Sequence, residues 1–415
     1  MKSIKDTCRP FAFLLLTCWI AGCKSTQKTG PGNAVQPIIV SSDFDCGSIG
    51  TLIESPANFL TGNSLHWKHK SSPDNQYYWF YFRMDHVLNK TVTVKLNRLI
   101  GIYRGNPHLI YTEGTQPVYS YDKIHWQRIS DVRYNDSLHT FTFRNNYTSD
   151  SVWVAYAHPY PYSREMEFIR SLPGKSPCLN IEVLGVSEQS RSIRLLTITD
   201  PDVPDTEKKV VLITTLQHAG EYTGGFFAEG MVNFLLSDQP EAVRARKKTI
   251  YKIVPMMNPD GIYHGMTRLN ADYEDLNQEW DDDFTDAAHA PTEPEVACVK
   301  KWIRNWIKEG KKIDLGLDVH SQGQQGTMNI LHVPGGMLAD LSKQLNKYWP
   351  VELIPMTFSG SANDCLLNEF HVTSGTFEIP QSNINDGPYL TIADYQSYGK
   401  GTVEGITDYF ASSRP

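Results

Sequence analysis

The sequence predicts an α/β protein with a mixed β-sheet flanked by helices, preceded by an all-β sandwich domain. Between residues 38 and 165, short runs such as TVTVKL alternate apolar and polar side chains, and no segment sustains a helical period. From about residue 180 onwards, strands alternate with helices. The apolar run 209–217, for example, is followed by a segment in which Phe227 and Met231 share one helical face.

The composition indicates a folded protein and argues against a nucleic-acid binder. The 415 residues include 39 Lys or Arg and 46 Asp or Glu, so the formal net charge is −7 at pH 7. With 40% hydrophobic and 20% charged residues, the chain can build a sizeable core. Since an acidic chain offers no excess of basic groups to phosphates, we expect no nucleic-acid partner.

The N-terminal residues are typical of an export signal. Three basic residues precede the apolar run 11–20, which is about half of the ~20 residues that a membrane-spanning helix needs. The string IAGC, which ends at Cys23, resembles the bacterial lipoprotein cleavage box. This resemblance implies that Cys23 is lipidated and anchors the protein in the bacterial cell envelope, periplasmic or at the cell surface. Ordinary signal cleavage near Ala21 or Gly22 is the alternative.

Four segments are therefore expected. They are a signal peptide at 1–22, a lipoprotein tether rich in Gly, Ser, Thr and Pro at 23–37, the β-sandwich domain at 38–165 and the α/β domain at 166–415. The remaining cysteines allow three disulfide connectivities or free thiols, and the sequence does not choose between them. These cysteines are Cys46, Cys178, Cys298 and Cys365.

Two histidines and one glutamate are placed to bind a metal ion. His218 and Glu221 follow a predicted strand in the string HAGE, and His320 ends another strand in LDVHS. Strand ends can meet at one edge of a sheet. Two histidines and a carboxylate leave a tetrahedral zinc ion one open position for water, as in catalytic sites, so we predict one Zn²⁺. A carboxylate outside the ligand set is then needed to accept a proton, and Glu378 is the candidate.

Five motifs resemble the zinc metallocarboxypeptidase family, whose catalytic domain is carboxypeptidase A-like. In family order, they are HAGE at 218–221, VPMMNPDG at 254–261, DLNQ at 275–278, LDVHS at 317–321 and TFEIP at 376–380. The strings WFYFRM, PVYSYDKIHW and AHPYPYS are similar to the β-domain that precedes the catalytic domain in the cytosolic carboxypeptidase branch. The resemblance implies that the α/β domain is the catalytic domain.

The resemblance also implies roles for individual residues. The three metal-binding candidates above would be the zinc ligands, and Glu378 would be the general base and later the proton donor. Arg268, in GMTRLN, would polarise the scissile carbonyl and stabilise the oxyanion. Asp275 would hold the first ligand histidine in its productive tautomer. Asn277 would contact the C-terminal carboxylate of the substrate.

Two positions depart from the family pattern. The residue after Asn277 is usually an arginine that grips the terminal carboxylate, but here it is Gln278. The tyrosine that commonly closes over the substrate falls on Met356. Asp364 and its neighbour Asn363 would line the pocket for the terminal side chain. An amide-capped, cross-linked or branched peptide, such as a peptidoglycan stem peptide, therefore becomes a candidate substrate.

Taken together, the sequence predicts an exported zinc-dependent metallopeptidase of carboxypeptidase type. Its expected partners are a peptide or peptide-like substrate and a membrane, which it would contact through the lipid at Cys23. A zinc deacylase or amidase that acts on N-acyl amino acids or cell-wall peptides is one alternative. A non-catalytic surface lipoprotein that binds peptide or glycan is another. The sequence names no protein partner.

Overall fold

The structure, a computed structural model, covers most of the chain. The described residues are 36–172, 174, 176–281 and 293–412. The predicted signal peptide, Cys23 and almost all of the predicted tether lie outside the described residues. From Pro37 onwards the described residues form one compact unit. Within these ranges, no helix is both long and apolar enough to cross a bilayer.

The first part of the described chain is an all-β region, as predicted. Its strands are β1 (Ile39–Ser41), β2 (Leu52–Glu54), β3 (Phe59–Asn63), β4 (Trp67–Lys68), β5 (Asn75–Gln76), β6 (Tyr81–Asp85), β7 (Thr91–Asn97), β8 (Gly101–Tyr103), β9 (Asn106–His108), β10 (Val118–Ser120), β11 (Gln127–Arg128), β12 (Asp131–Asn135), β13 (Thr140–Asn146) and β14 (Ser151–Ala155).

Two five-stranded sheets make up most of this region. Their strand orders are β1-β6-β14-β10-β11 and β12-β13-β7-β3-β2, and a smaller sheet runs β4-β5-β8-β9. Aromatic side chains join the two larger sheets. Phe80, directly before β6, stacks on Phe143 of β13 with ring centroids 5.8 Å apart, and Tyr111 lies 5.1 Å from Phe141 of the same strand. These rings form the core of the β-domain.

The second part alternates strands with helices. Its elements are α1 (Tyr162–Ser171), β15 (Leu179–Val186), β16 (Ser192–Ile198), β17 (Lys209–Thr215), α2 (Thr223–Leu235), α3 (Pro240–Lys248), β18 (Thr249–Val254), α4 (Pro259–Tyr263), α5 (Pro294–Lys308), β19 (Leu315–Ser321), β20 (Ile330–Val333), α6 (Ala339–Leu345), β21 (Glu352–Pro355), α7 (Ala362–Asn368), β22 (Ser374–Ile379) and α8 (Ile392–Ser412). Three short 3₁₀ helices cover Asp205–Glu207, Leu276–Gln278 and Gly323–Gln325.

One mixed sheet of eight strands organises this part, as predicted. Its order is β15-β16-β18-β17-β19-β22-β20-β21. The central strands β18, β17, β19 and β22 are parallel neighbours, whereas β15, β16 and β20 pair antiparallel. Helices cover both faces of β19: Leu317 shares a core with Phe227 of α2, whereas Gly316 faces Leu366 of α7. This double cover explains why β19 is buried throughout.

Helices α2 and α8 pack backbone against backbone. A Cβ atom added to Gly230 would lie 2.0 Å from the carbonyl oxygen of Gln396, and one added to Gly399 would lie 2.0 Å from the carbonyl oxygen of Phe227. Only glycine fits at either contact. Because α2 begins directly after the HAGE string, this packing also fixes the position of the predicted metal-binding turn.

Replacing Gly230 with Ala should lower the free energy of unfolding by about 2–3 kcal/mol or more, since the new methyl group meets backbone that cannot move without displacing a helix. Thermal unfolding followed by circular dichroism measures the effect. Gly336→Ala is the matched control, because a Cβ there has no atom within 4 Å. Equal melting temperatures for the two variants would contradict this helix packing.

Candidate metal centre and active-site cavity

The predicted metal-binding residues meet at the carboxyl edge of the central parallel strands. His218 and Glu221 lie in the turn between β17 and α2, and His320 lies in β19. All three side chains are buried. Gly220, between the first two, lets the turn lie close to the segment before Arg268: its N–H donates to the carbonyl of Thr267 at 2.7 Å, and a Cβ there would lie 2.5 Å from that oxygen.

Nitrogen and oxygen atoms of the three residues converge on one point. Nδ1 of His218 lies 2.8 Å from Oε1 of Glu221, and Nδ1 of His320 lies 2.9 Å from Oε2 of the same carboxylate. The two Nδ1 atoms are 3.0 Å apart. One ligand atom from each residue lies within 4.8 Å of the others.

The outer nitrogens of both histidines contact carboxylates. Nε2 of His218 lies 3.0 Å from Oδ1 of Asp275, and Nε2 of His320 lies 2.6 Å from Oδ2 of Asp318. Because an ionised carboxylate only accepts hydrogen bonds, each Nε2 carries a proton, and with a metal ion bound each Nδ1 would direct its lone pair to the inner point. Two lone pairs and a buried carboxylate are what a zinc ion requires, so these residues fit one Zn²⁺.

The charged groups around the metal-binding residues favour positive charge at the point where their ligand atoms converge. Burial opposes ionisation of Glu221, but the adjacent histidines outweigh it and hold the pKa of its carboxyl well below the usual range. Burial lowers the pKa of His320, but Asp318 and Glu221 outweigh it and raise the pKa well above the usual value. Burial also opposes ionisation of Asp275, yet Arg268 and His218 keep its pKa low.

Arg268 lies beside the metal-binding residues. Its Nε donates to Oδ2 of Asp275 at 2.5 Å, and its Nη1 is 4.0 Å from Oε1 of Glu221. A structural ion pair with Asp272 or Glu274 would be the other explanation for this arginine. In the structure those two carboxylates pair with Lys70 and His69 instead, which leaves Arg268 at the site.

Glu378 faces the same space. Strands β19 and β22 place its Cα opposite that of His320. No described residue lies within hydrogen-bonding distance of its carboxylate. Burial, followed by the charge of Glu221, raises the pKa of Glu378 to about 7.

A cavity of about 450 Å³ opens onto these residues. Glu221, Arg268 and Glu378 line it, together with the segment that follows β19. The β-domain supplies the opposite wall. Its lining residues are Gln76, Tyr78, Tyr103, His108 and Ile110. The sequence did not predict this contribution, because no spacing rule links residues of separate domains.

Four predicted substrate-binding residues are not part of the cavity lining. The carboxamide of Gln278 donates to Oδ2 of Asp275 at 2.8 Å, and Oδ1 of Asn277 accepts from the amide of Ala362 at 3.0 Å. The side chain of Asn363 accepts from the hydroxyl of Ser374 at 2.5 Å. Asp364 accepts from the amide of Gly360 at 3.2 Å. Met356 is 44% exposed.

The residues that support His320 were not predicted from the sequence either. Asp318 precedes it by two positions, so both side chains point to the same side of β19. Gln217 donates from Nε2 to Asp318 at 2.6 Å and accepts from the indole of Trp280 at 2.7 Å. The two-residue spacing was the available signal for Asp318. The contacts of Gln217 join three distant segments and leave no local pattern.

The β-domain also holds the loops that follow His320 and Glu378. Arg128, at the end of β11, donates to the carbonyl oxygens of Gln116, Gln381 and Leu390 at 2.9–3.2 Å. Gln381 in turn donates from Nε2 to the carbonyl of Gly220 at 2.9 Å and from its backbone N–H to that of Gly323 at 2.7 Å. One buried guanidinium therefore connects the β-domain to all three segments of the site.

Two family models match the chain. Residues 166–332 match the zinc carboxypeptidase model, and residues 40–157 match the model of the cytosolic carboxypeptidase N-terminal domain. Residues 166–332 therefore form a zinc carboxypeptidase domain, preceded by a cytosolic carboxypeptidase N-terminal domain. Zinc carboxypeptidases depend on zinc, in agreement with the cluster of His218, Glu221 and His320. The match ends before Glu378, whose position rests on the structure alone.

Similar proteins include cytosolic carboxypeptidases of vertebrates. Cytosolic carboxypeptidase 6 of Mus musculus is 29% identical over 72% of this chain and 54% of its own length. Cytosolic carboxypeptidase 2 of Danio rerio is 28% identical over 88% of this chain and 50% of its own. The chain thus spans about half the length of these relatives.

Solved structures share the fold across both domains. A metallo-carboxypeptidase from Burkholderia cenocepacia is 22% identical, with a TM-score of 0.76 over 90% of this chain and 99% of its own. A metallo-carboxypeptidase from Pseudomonas aeruginosa is also 22% identical, with a TM-score of 0.73 over 90% of this chain and 99% of its own. The order of β-domain and α/β domain is common to these chains.

Replacing His320 with Ala should abolish stoichiometric zinc binding, because the substitution removes one of three ligand side chains. Asp318→Asn should weaken zinc binding by about 10- to 100-fold, since Nε2 of His320 would lose its carboxylate partner. Elemental analysis and titration against a chromophoric chelator measure both. His125→Ala, at an exposed histidine of the β-domain, is the control. Full zinc affinity in His320→Ala would contradict the ligand assignment.

Proposed function

We propose that the protein is a zinc-dependent metallopeptidase of carboxypeptidase type that hydrolyses an amide bond of a peptide. One observation carries the proposal: Glu378, a carboxylate outside the ligand set, lines the same cavity as Glu221 and Arg268. This arrangement combines a proton acceptor, a metal-binding cluster and a fixed cation. A binding module would not need the acceptor.

In this proposal each residue has a distinct task. His218, Glu221 and His320 would hold the zinc ion. When bound, zinc polarises a carbonyl and lowers the pKa of water. Glu378 accepts the proton of the attacking water at a carboxylate oxygen and then transfers it to the leaving nitrogen. Arg268, oriented by its bond to Asp275, directs its remaining N–H groups at the oxygen that gains negative charge.

The supporting residues keep this geometry fixed. Asp275 and Asp318 hold the two imidazoles in the tautomer that turns Nδ1 inwards. Tyr78 and Tyr103 of the β-domain line the cavity beside Arg268. Because the side chain of Arg268 is only 19% exposed, its charge acts more strongly on a developing oxyanion than it would in bulk water.

Gln278 favours a second candidate function. An arginine at this position would pair with a free carboxylate, whereas the carboxamide of Gln278 is bound to Asp275. A zinc deacylase or amidase that acts on N-acyl amino acids or cell-wall peptides is therefore the alternative. Activity on blocked or branched peptides, compared with N-acyl amino acids, separates the two. A protein that binds these ligands without hydrolysing any of them would be a surface binding module.

We also propose that the protein is exported and anchored in the bacterial cell envelope through lipid at Cys23. The basic residues, the apolar run 11–20 and the string IAGC support this location. Anchoring would bring the cavity close to envelope peptides, which makes peptidoglycan stem peptides a natural class to assay.

Glu378→Gln should lower kcat by about 10²- to 10⁴-fold, because the amide cannot accept the proton, while the zinc content stays unchanged. Steady-state kinetics on a peptide panel and elemental analysis measure the two effects. Glu352→Gln, at an exposed residue of β21, is the matched control and should keep the parental rate. Parental turnover by Glu378→Gln would show that another group is the base.

Cys23→Ala should release the protein from the membrane fraction, since the acceptor of the lipid is lost. Metabolic labelling with a radioactive fatty acid and fractionation of the host cells measure this. Cys46→Ala, at a buried cysteine of the β-domain, controls for loss of a thiol. Equal labelling of Cys23→Ala and the parental protein would exclude Cys23 as the anchor.

A further inference from the structure

We propose that Arg104 of the β-domain binds the carboxylate of the substrate, in place of the arginine that is replaced by Gln278. This inference rests on the proposed peptidase function and assigns a subsite of the same cavity. The ligand class is a peptide or peptide-like molecule with a free carboxylate near the scissile amide.

Arg104 occupies a fixed turn between β8 and β9. Arg104 and Gly105 both have positive φ, 51° and 74°, as a tight hairpin turn requires. Asp74 holds the turn: its carboxylate accepts from the backbone N–H of Arg104 at 2.8 Å and from that of Gly105 at 3.2 Å. Because both bonds go to backbone, they fix the turn without using the guanidinium.

The guanidinium lies over two rings of the cavity wall. Its carbon atom is 5.6 Å from the ring centroid of Phe358 and 5.5 Å from that of Tyr103. Both rings line the cavity. The guanidinium of Arg268 lies 5.1 Å from the same Tyr103 ring. Two cationic groups therefore meet at one aromatic side chain, one beside the metal-binding cluster and one further out.

Phe358 also places Arg104 near position 278. It belongs to the loop between β21 and α7, and the next glycine of that loop, Gly360, accepts from the backbone N–H of Trp280 at 3.1 Å. Gln278 and Trp280 lie in the same segment, two residues apart. The guanidinium of Arg104 thus contacts a loop that lies next to the segment of Gln278, the position at which the family has its arginine.

The charge of Arg104 is available to a ligand. Arg268 has Asp275 as its partner, but no carboxylate among the described residues lies within 4.0 Å of the guanidinium of Arg104. Its side chain is exposed at the cavity rim. A guanidinium can bind a carboxylate through two parallel hydrogen bonds, which a carboxamide such as Gln278 cannot do.

Kinetics on a matched pair of substrates tests the proposal. The pair is an N-blocked dipeptide with a free C-terminal carboxylate and the same dipeptide as its C-terminal amide. Arg104→Gln should raise KM for the free carboxylate about tenfold or more, leave kcat within about threefold and leave the amide unaffected. Arg98→Gln is the control, since Arg98 is also exposed in the β-domain with φ of 57°. Arg104→Lys should retain more of the preference than Arg104→Gln.

A binding measurement separates this proposal from the proposed function. Calorimetry compares an N-acetyl amino acid with its amide on zinc-loaded protein carrying Glu378→Gln, with and without Arg104→Gln. Preference for the carboxylate, lost with Arg104→Gln, supports the subsite even if no peptide is hydrolysed. Equal effects of Arg104→Gln on acid and amide, or none on either, would overturn it. Equal losses in Arg104→Lys and Arg104→Gln would also overturn it, because charge would then not be the recognised feature.

Discussion

The site depends on one buried cluster of imidazole nitrogens and carboxylate oxygens that can donate electron pairs to a metal ion. Two imidazole nitrogens and one carboxylate face each other at 2.8–3.0 Å, and each imidazole is fixed from behind by a second carboxylate. The buried carboxylates of such a group are costly unless positive charge lies beside them, from a bound cation or from a protonated imidazole. The parallel strands β17, β19 and β22 are in register and end at the same edge of the sheet. The segments that carry the metal-binding residues and Glu378 therefore lie side by side. The cavity and its charges are arranged around that point.

The β-domain precedes the α/β domain in the chain and also completes the cavity. Its residues form one wall, bring Tyr103 against the guanidinium of Arg268 and add the cation of Arg104 at the rim. In the proposed function, the catalytic residues come from strand ends of the α/β domain, where the family motifs lie. The proposed carboxylate subsite comes from the hairpin β8–β9. The two proposals therefore assign catalysis and recognition to different domains.

Much of this organisation could be predicted from sequence, for physical reasons. His218 and Glu221 are three residues apart in one turn, and polar residues at the ends of parallel strands share an edge, so local spacing placed the metal-binding cluster. Gln278 was recognised as a departure, but its bond to Asp275 depends on tertiary packing. The position of Tyr103 in the cavity wall could not be predicted from the sequence, because it arises from contact between distant segments.

The hydrogen bonds of Arg128 make it difficult to separate the two domains. Its guanidinium is buried, and its hydrogen bonds go to neutral oxygens, which include three backbone carbonyls and the side chain of Gln324. Two of these carbonyls, those of Gln381 and Leu390, belong to the α/β domain. An excised α/β half would lose this tether on Gln381 and Leu390, and with the removal of Trp79 it would expose the ring of Tyr222. The smallest fragment that keeps these contacts is therefore the domain pair, so the α/β half expressed alone should be less stable than the whole protein.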